Sequence, residues 1–213
     1  MGIPNTVHFL RKYRPDMKKL LIVFCLQLAV VNGMAQDGNL SMEWKKIEPF
    51  ELQCKPMNLF ANDWMALAIG NRDKCNAMTI GWGSLGHLWG KNIVIVYVSK
   101  DRYSKKMMDE NEYFTVTAFP DNEESRKALQ YIGTKSYRDD PNKIANAGLT
   151  TEFTELGNPV FREGNLTIEC KTIYKDEFKK ELLPADVREN MYEGFGMGLH
   201  SFYIGEIVNI WEK

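Results

Sequence analysis

A glycine-rich stretch at residues 76–91, NAMTIGWGSLGHLWGK, most constrains what this chain can fold into. It contains the spacing G-x-G-x-x-G at Gly81, Gly83 and Gly86, which marks a dinucleotide-binding βαβ unit when a helix follows. Here only residues 87–92 separate the last glycine from the apolar run IVIVYVS, whereas a parallel crossover needs about a dozen residues or more. The connection therefore predicts neighbouring antiparallel strands and argues against a dinucleotide-binding unit.

Short runs rich in β-branched and aromatic residues recur along the chain. They are FELQ (50–53), WMALAIG (64–70), AMTIGWG (77–83), IVIVYVS (93–99), YFTVTAF (113–119), LTIECKTIY (166–174) and FYIGEIVNI (202–210). Apolar and threonine positions alternate in YFTVTAF, as in a half-buried strand, whereas IVIVYVS is apolar throughout, as in a strand covered on both faces. These runs predict a mainly β fold, a β-barrel with inserted helices.

Four helices are predicted between the strands. Ser104 is placed to cap KKMMDENE, and Asn122 is placed to cap EESRKALQYI. PNKIANAG begins with Pro141 and ends on Gly148, which matches the usual start and stop chemistry of a helix. PADVRENMY is the fourth segment, and the glycine-rich MYEGFGMGLH after it predicts a surface loop before the last strand.

Residues 1–35 are predicted to be a signal peptide. The basic MKK at residues 17–19 precedes twelve residues, LLIVFCLQLAVV, and then small Gly33 and Ala35 at a cleavage-like site. That apolar run is shorter than the roughly twenty residues that a membrane-spanning helix needs. We expect cleavage after Ala35 and export to the periplasm, with residues 1–16 an extension from an upstream start codon. A buried N-terminal helix, in a cytoplasmic protein, is the alternative.

Charge and cysteine content exclude two classes of function for the chain after residue 35. The full chain has 27 Lys/Arg and 28 Asp/Glu residues, of which five Lys/Arg and one Asp lie in residues 1–35. The remainder has 22 basic and 27 acidic side chains, a net charge of −5. A mildly acidic domain is a poor nucleic-acid binder, because affinity for phosphate backbones is mostly cationic. Without a C-x-x-C pair, and with only His87 and His200 remaining, a structural zinc site lacks ligands. We interpret Cys54, Cys75 and Cys170 as small apolar core residues.

The glycines of residues 76–91 let a main chain approach a flat ligand closely. Thr79 and Ser84 add hydroxyl groups to that surface. A planar ring with polar edges would suit such a site. The alternative is a glycine-rich hairpin without a ligand.

Two segments combine cations with hydroxyls, the chemistry of a phosphate site. SKDRYSKK, at the start of a predicted helix, contains Lys100, Arg102, Tyr103 and Ser104. GTKSYRDDPNK, in a predicted loop, contains Thr134, Lys135, Ser136 and Arg138. An ordinary capped helix start and an ordinary loop are the alternatives. Because no hydrolytic triad motif accompanies these segments, we expect any chemistry to be that of a cofactor.

Five segments in order resemble the flavin reductase-like, FMN-binding split-barrel family, which includes NAD(P)H:flavin oxidoreductases and flavoredoxins. The segments, between residues 55 and 210, are NAMTIGWGSLG, SKDRYSKKMMDENEYFTVTAF, YIGTKSYRD, AGLT and HSFYIGEIV. The resemblance implies that residues 36–213 form one split-barrel domain. It also implies a homodimer with FMN bound near the subunit interface.

The resemblance further implies roles for individual residues. The flavin ring would be lined by Asn76, Met78, Thr79, Trp82 and Ser84, and the ribityl phosphate would be held by Lys100, Arg102, Tyr103 and Ser104. The loop that would close over the cofactor contributes Thr134, Lys135, Ser136 and Arg138. His200 matches the family's histidine near the nicotinamide and is the candidate catalytic residue. Its alternative role is to cap the last strand.

The resemblance implies an oxidoreductase in which NADH or NADPH delivers hydride to FMN and the electrons pass to an unknown acceptor. The predicted signal peptide departs from the cytoplasmic members of that family, and nicotinamides are scarce outside the cytoplasm. Two alternatives therefore stay open. One is an exported flavin-binding electron carrier or flavin-storage module, and the other is a split-barrel protein that acts in assembly without flavin.

Overall fold

The computed structural model describes residues 40, 41 and 43–213. The predicted signal peptide and its cleavage site lie outside these residues, so both stay predictions. Within the described part of the chain, no helix is long and apolar enough to cross a membrane.

Ten strands make up most of the regular structure. They are β1 (Lys45–Ile47), β2 (Met65–Gly70), β3 (Cys75–Ile80), β4 (Gly83–Leu88), β5 (Lys91–Ser99), β6 (Tyr113–Ala118), β7 (Thr151–Phe153), β8 (Pro159–Phe161), β9 (Leu166–Glu177) and β10 (His200–Glu212). Eight of them form one antiparallel sheet in the order β3-β2-β6-β9-β10-β5-β4, with β1 added beside β10. Strands β7 and β8 form a separate two-stranded sheet. The predicted mainly β fold with inserted helices is confirmed.

The glycine-rich stretch forms an antiparallel hairpin, as its spacing predicts. Strands β4 and β5 pair from Gly83 opposite Val96 to the end of the hairpin. Trp89 and Gly90 make the two-residue turn, with φ angles of 53° and 74°. Positive φ at both central residues gives a turn whose twist matches that of the strands. At Gly83 a Cβ atom would lie 2.2 Å from the Phe60 ring, so packing inside the protein requires that glycine.

Three details of the predicted strands are wrong. FELQ does not form a strand, because Pro49–Glu51 is a 3-10 turn whose proline favours a helical start. AMTIGWG does not run through to Gly83, since β3 ends at Ile80 and β4 begins after a break. Strands β1, β7 and β8 are missing from the prediction, because each has only three residues, too few to show the alternation of apolar and polar side chains.

Short helices connect the strands. The α-helices are α1 (Pro56–Asn58), α2 (Tyr103–Glu110), α3 (Glu123–Thr134), α4 (Lys143–Asn146) and α5 (Ala185–Val187). A second 3-10 turn spans Lys180–Leu182, and π-helical turns span Leu59–Asp63 and Arg188–Glu193.

The two predicted helix caps have different outcomes. The Asn122 side chain accepts a hydrogen bond from the Ser125 amide at 2.8 Å, which confirms the predicted cap of α3. Ser104 is not a cap, because α2 begins at Tyr103 and its N-cap position is Arg102. The Ser104 hydroxyl is instead buried against strand β3.

Two apolar cores flank strand β2, whose six residues are all buried. Leu67 and Ile69 contribute to the main core inside the large sheet. Ala66 and Ala68 alternate with them and contribute to a second core with Leu129 of α3. Alternation of small and large residues therefore holds α3 close against the sheet, which places the last turn of α3 near the site described next.

Candidate functional site

Strand pairing brings three distant segments of the chain to one place. His200, the first residue of β10, is paired with Ser99, the last residue of β5. From Ser99 the chain turns directly into α2, whose Ser104 accepts a hydrogen bond from Asn76 Nδ2 at 2.9 Å. Asn76 lies on β3. The site is therefore built on rigid elements rather than on a single loop.

The larger of two cavities at this place has a volume of about 410 Å³. Its wall consists of Met78, Thr79, Ile80, Gly81, Trp82, Tyr97, Ser99, Asp101, Arg102, Phe195, Gly196, Met197 and His200. This volume lies in the range of about 300–1,000 Å³ that small-molecule pockets have. Apolar and aromatic side chains make up most of the wall, which suits a flat ring.

His200 is held by aromatic neighbours at the base of the larger cavity. Its ring centroid lies 4.7 Å from that of Trp82, with the two planes tilted by 42°. Its Nδ1 lies 3.3 Å from the Tyr192 hydroxyl. Burial lowers the pKa of His200 below its usual value, and the Arg102 charge lowers it further, while Asp101 acts in the opposite direction. The imidazole is therefore mainly neutral at pH 7 and serves as a hydrogen-bonding group.

The smaller cavity, of about 100 Å³, adjoins the larger one. Its wall consists of Asn76, Met78, Asp101, Arg102, Tyr103, Ser104, Ile132, Thr134, Lys135, Ser136, Tyr137 and Lys143. Met78, Asp101 and Arg102 line both cavities. Hydroxyls and cations are frequent in this wall, in contrast to the apolar wall of the larger cavity.

One buried polar atom of a side chain that lines the smaller cavity has no hydrogen-bond partner among the described residues. Asn76 is 1% exposed, and its Oδ1 is buried without a hydrogen bond. Turning the amide over would leave Nδ2 unpaired instead, because within the described part of the chain only Ser104 bonds to this side chain. A buried polar group without a partner is costly, so the arrangement favours a ligand that bonds to Asn76.

Basic and aromatic side chains stack at the rim of the smaller cavity. Tyr103 and Tyr137 are stacked with centroids 5.0 Å apart and planes 16° apart. Lys74 donates to the Tyr103 hydroxyl at 2.9 Å, and the Arg138 guanidinium lies 5.6 Å from the Tyr103 ring centroid. Arg102 donates to the Gly133 carbonyl at 2.9 Å, which joins α2 to the end of α3.

Most of the predicted site residues meet at the two cavities, but three do not line either one. Ser84 is on β4 opposite Ile95, Lys100 is in an exposed turn, and Arg138 covers Tyr103 from outside. Thr79 lines the larger cavity, but its hydroxyl already donates to the Leu129 carbonyl of α3. The strand position of Ser84 and the turn position of Lys100 explain why these side chains do not line the cavities, because neighbouring positions on a strand or turn point in different directions.

Four ionisable lining residues are absent from the set predicted from the sequence. Lys143 and Tyr137 lie in the smaller cavity, Asp101 lines both cavities, and Tyr97 lines the larger one. Lys143 is in the same basic segment as Ser136, which could have drawn attention to it. Nothing local indicates that Tyr97 faces a cavity, because its strand is apolar throughout.

A larger cavity, of about 640 Å³, lies elsewhere, beside the segment that precedes β2. Its wall carries Lys55 and Lys213 together with Asp63, Asp121 and Glu212, so its cations have acids close by. Among the described residues, no buried side-chain polar atom without a hydrogen-bond partner belongs to that wall. Size alone therefore does not make it the better candidate.

Comparison with known proteins identifies the fold. The family model described as "Flavin reductase like domain" matches residues 64–213. Flavoredoxin from Methanosarcina acetivorans has 22% identity and a TM-score of 0.55, with 71% of this chain and 68% of that chain covered. An FMN-binding domain of flavin reductases-like enzyme from Shewanella baltica has 15% identity and a TM-score of 0.55, with 79% and 76% covered.

A third similar structure is the NADH:FAD oxidoreductase of Streptomyces globisporus, with 15% identity, a TM-score of 0.55, and coverage of 71% of this chain and 75% of that chain. No curated protein matches the sequence. The structural likenesses, all below 25% identity, support the fold, and the family model covers well over half of the chain. This chain therefore belongs to the flavin reductase-like domain family.

Proposed function

We propose that this chain binds FMN in the two adjoining cavities and acts as a flavin-dependent oxidoreductase. The observation that carries the proposal is the division of the site, since a largely apolar cavity opens beside a small one rich in hydroxyls and cations. A ring system with a terminal phosphate has the same division. Membership of the flavin reductase-like family supports a flavin as the ligand class.

The residues present fit such a ligand. Met78, Trp82 and His200 would lie against the ring, because all three line the larger cavity. The phosphate would be held by Arg102 and by the hydroxyls of Ser104 and Ser136, which line the smaller cavity. Thr134 lines it too, but its hydroxyl already donates to the Gln130 carbonyl. Asn76 Oδ1 supplies an acceptor for a hydroxyl of the ligand.

Flavins supply hydride and electron transfer when bound, and the protein contributes binding, orientation and the exclusion of water. Met78 and His200 are buried side chains in the wall of the larger cavity, where they would help to exclude water from the ring. The His200 imidazole, neutral at pH 7, can donate or accept one hydrogen bond toward a second substrate. We propose NADH or NADPH as that substrate, which fits the histidine's position at the cavity rather than at the strand end alone.

A row of aromatic side chains supports a homodimer. The row, Trp89, Tyr174, Phe202, Phe178 and Tyr97, has successive ring centroids 6.4, 6.0, 6.0 and 5.6 Å apart. Trp89 is 66% exposed and Tyr174 is 42% exposed, and contiguous exposed aromatic surface marks interaction sites. Because Tyr97 also lines the larger cavity, a second copy seated on this row would border the flavin site.

The signal-like N terminus favours a second candidate, an exported flavin-binding electron carrier or storage module without nicotinamide activity. Its basic, apolar and small segments before Ala35 predict transport out of the cytoplasm. N-terminal sequencing of protein from the producing cell should then begin at Gln36. An intact N terminus on cytoplasmic protein would remove the ground for this second candidate.

Two measurements on one purified sample test both candidates. Titration of FMN, followed by quenching of flavin fluorescence, should show saturable binding. Anaerobic mixing with NADH and then NADPH, followed by flavin absorbance, should show bleaching if the chain is a reductase. Binding without bleaching by either nicotinamide would select the carrier, and absence of any flavin binding would overturn the proposed function.

A further inference from the structure

Lys143 is a buried cation to which the proposed function gives no role. It is 3% exposed, on the short helix α4. Its Nζ donates to the Ile132 carbonyl at 2.9 Å and to the Lys135 carbonyl at 2.7 Å. Within residues 40, 41 and 43–213, it forms no ion pair with a carboxylate. A buried charge without a counter-charge is costly, so this arrangement needs an explanation.

The surroundings of Lys143 carry more positive than negative charge. Burial and the Arg102 charge together lower the pKa of Lys143 to about 8, while Asp140 only partly opposes them. Asp101, Lys135, Tyr103 and Tyr137 complete the ionisable groups around the same cavity. Three cations, Arg102, Lys135 and Lys143, thus line one small space with a single carboxylate, Asp101.

That space is the smaller cavity, whose volume of about 100 Å³ suits one phosphate group and little more. Ser104 and Ser136 offer hydroxyl donors in the same wall as Lys143 and Arg102. Lys143 donates two of its three protons to carbonyls, which leaves one for a ligand. A bound dianion would provide the directly paired counter-charge that Lys143 lacks among the described residues.

We propose that the Lys143 ammonium group is the buried counter-charge for the terminal phosphate of the bound flavin. The inference rests on the proposed function and deepens it, because it identifies the residue that distinguishes FMN from riboflavin. The two carbonyl bonds fix the ammonium group in place, so the phosphate site is formed before the ligand arrives.

The first test compares two ligands that differ only in the phosphate. FMN and riboflavin are titrated by fluorescence quenching into wild type, Lys143→Gln and Lys106→Gln. Glutamine keeps a donor for the carbonyls but removes the charge, and Lys106 is an exposed control paired with Glu110. We expect Lys143→Gln to weaken FMN binding by roughly ten- to a hundredfold, with riboflavin binding changed less than about twofold. Lys106→Gln should change neither.

The outcomes separate this inference from the function on which it rests. If wild type binds neither FMN nor riboflavin, the proposed flavin function itself fails. If wild type binds both equally, or if Lys143→Gln weakens both ligands equally or neither, flavin binding survives and the role of Lys143 is refuted.

A second measurement uses only wild type and covers the case in which Lys143→Gln does not fold. Calorimetric titration at about pH 8, in two buffers of different ionisation enthalpy, counts the protons taken up on binding. A phosphate monoester is already a dianion there, and ordinary carboxyls and guanidinium groups do not titrate near this pH. FMN should therefore take up roughly half a proton more than riboflavin, because the phosphate favours the charged form of Lys143. Equal proton counts for the two ligands would overturn the inference.

Discussion

Individual side chains at the site have roles that can be tested separately, and Arg102 is the simplest to test. Its guanidinium lines both cavities and bonds to the Gly133 carbonyl. Arg102→Ala should weaken FMN binding by about 1.5–3 kcal/mol, since hydrogen bonds to charged groups have that value. Fluorescence titration measures this, with Arg72→Ala, outside both cavities, as the control. Unchanged FMN affinity in Arg102→Ala would show that Arg102 does not bind the phosphate and serves only at the N-cap position of α2.

His200 combines a structural contact with its proposed contact to the nicotinamide. His200→Ala should slow flavin reduction by NADH and also cost about 1–3 kcal/mol of stability, because it leaves the buried Tyr192 hydroxyl unpaired. Tyr192→Phe is the matched control, since it removes the same hydrogen bond and keeps the imidazole. Stopped-flow absorbance and melting curves on both variants separate the two effects. Equal slowing in both variants would reduce His200 to a positioning residue.

The pKa of Lys143 makes stability depend on pH in a defined direction. An unfolded lysine titrates at about 10.4, whereas the pKa of folded Lys143 is about 8. Between these values the unfolded chain binds more protons, so the free energy of unfolding rises with pH. From about pH 7 to about pH 10, wild type should gain about 2 kcal/mol relative to Lys143→Met in urea denaturation. A difference between the two proteins that does not vary with pH would contradict this.

At the scale of elements, the cap of α3 stabilises the helix whose last turn borders the smaller cavity. Asn122→Ala removes the bond to the Ser125 amide and should cost about 1 kcal/mol of stability. Asn142→Ala is the control, because Asn142 occupies the N-cap position of α4 without a side-chain cap bond. Thermal melts should show a lower midpoint for the first variant only. Equal midpoints for the two variants would show that the cap does not stabilise α3.

Elements determined by local chemistry could be predicted, and those determined by distant contacts could not. Asn122 caps an amide three residues away, so the sequence itself carries the signal. Ser104 has the same chemistry, but its partner Asn76 lies 28 residues away on another element. Lys143 is buried because its ammonium group bonds to the Ile132 and Lys135 carbonyls at the end of α3. Its basic segment indicates a cation there, but not that the cation is buried. Residues of the candidate site could thus be predicted where they belong to a local motif, but not where folding brings in a side chain from a distant segment.

On the scale of the whole molecule, the aromatic row predicts self-association. Trp89→Glu should shift a wild-type dimer toward monomer, because it places a charge in an exposed aromatic surface. Analytical ultracentrifugation measures the shift, and circular dichroism confirms that the fold is kept. Phe50→Glu, at a position that is 86% exposed outside the row, is the control. A wild-type monomer, or the same shift in both variants, would rule out this face as the dimer contact.

The paired alanines of β2 have a consequence for how this site could change through evolution or design. Ala66 and Ala68 set the spacing between the sheet and α3, and the last turn of α3 forms part of the wall of the smaller cavity. Larger residues there would move a whole wall of the cavity without altering any residue that lines it. Ligand preference could therefore be changed by substitutions in the core between β2 and α3, which does not contact the ligand. Mutant libraries confined to cavity-lining residues would not test such substitutions.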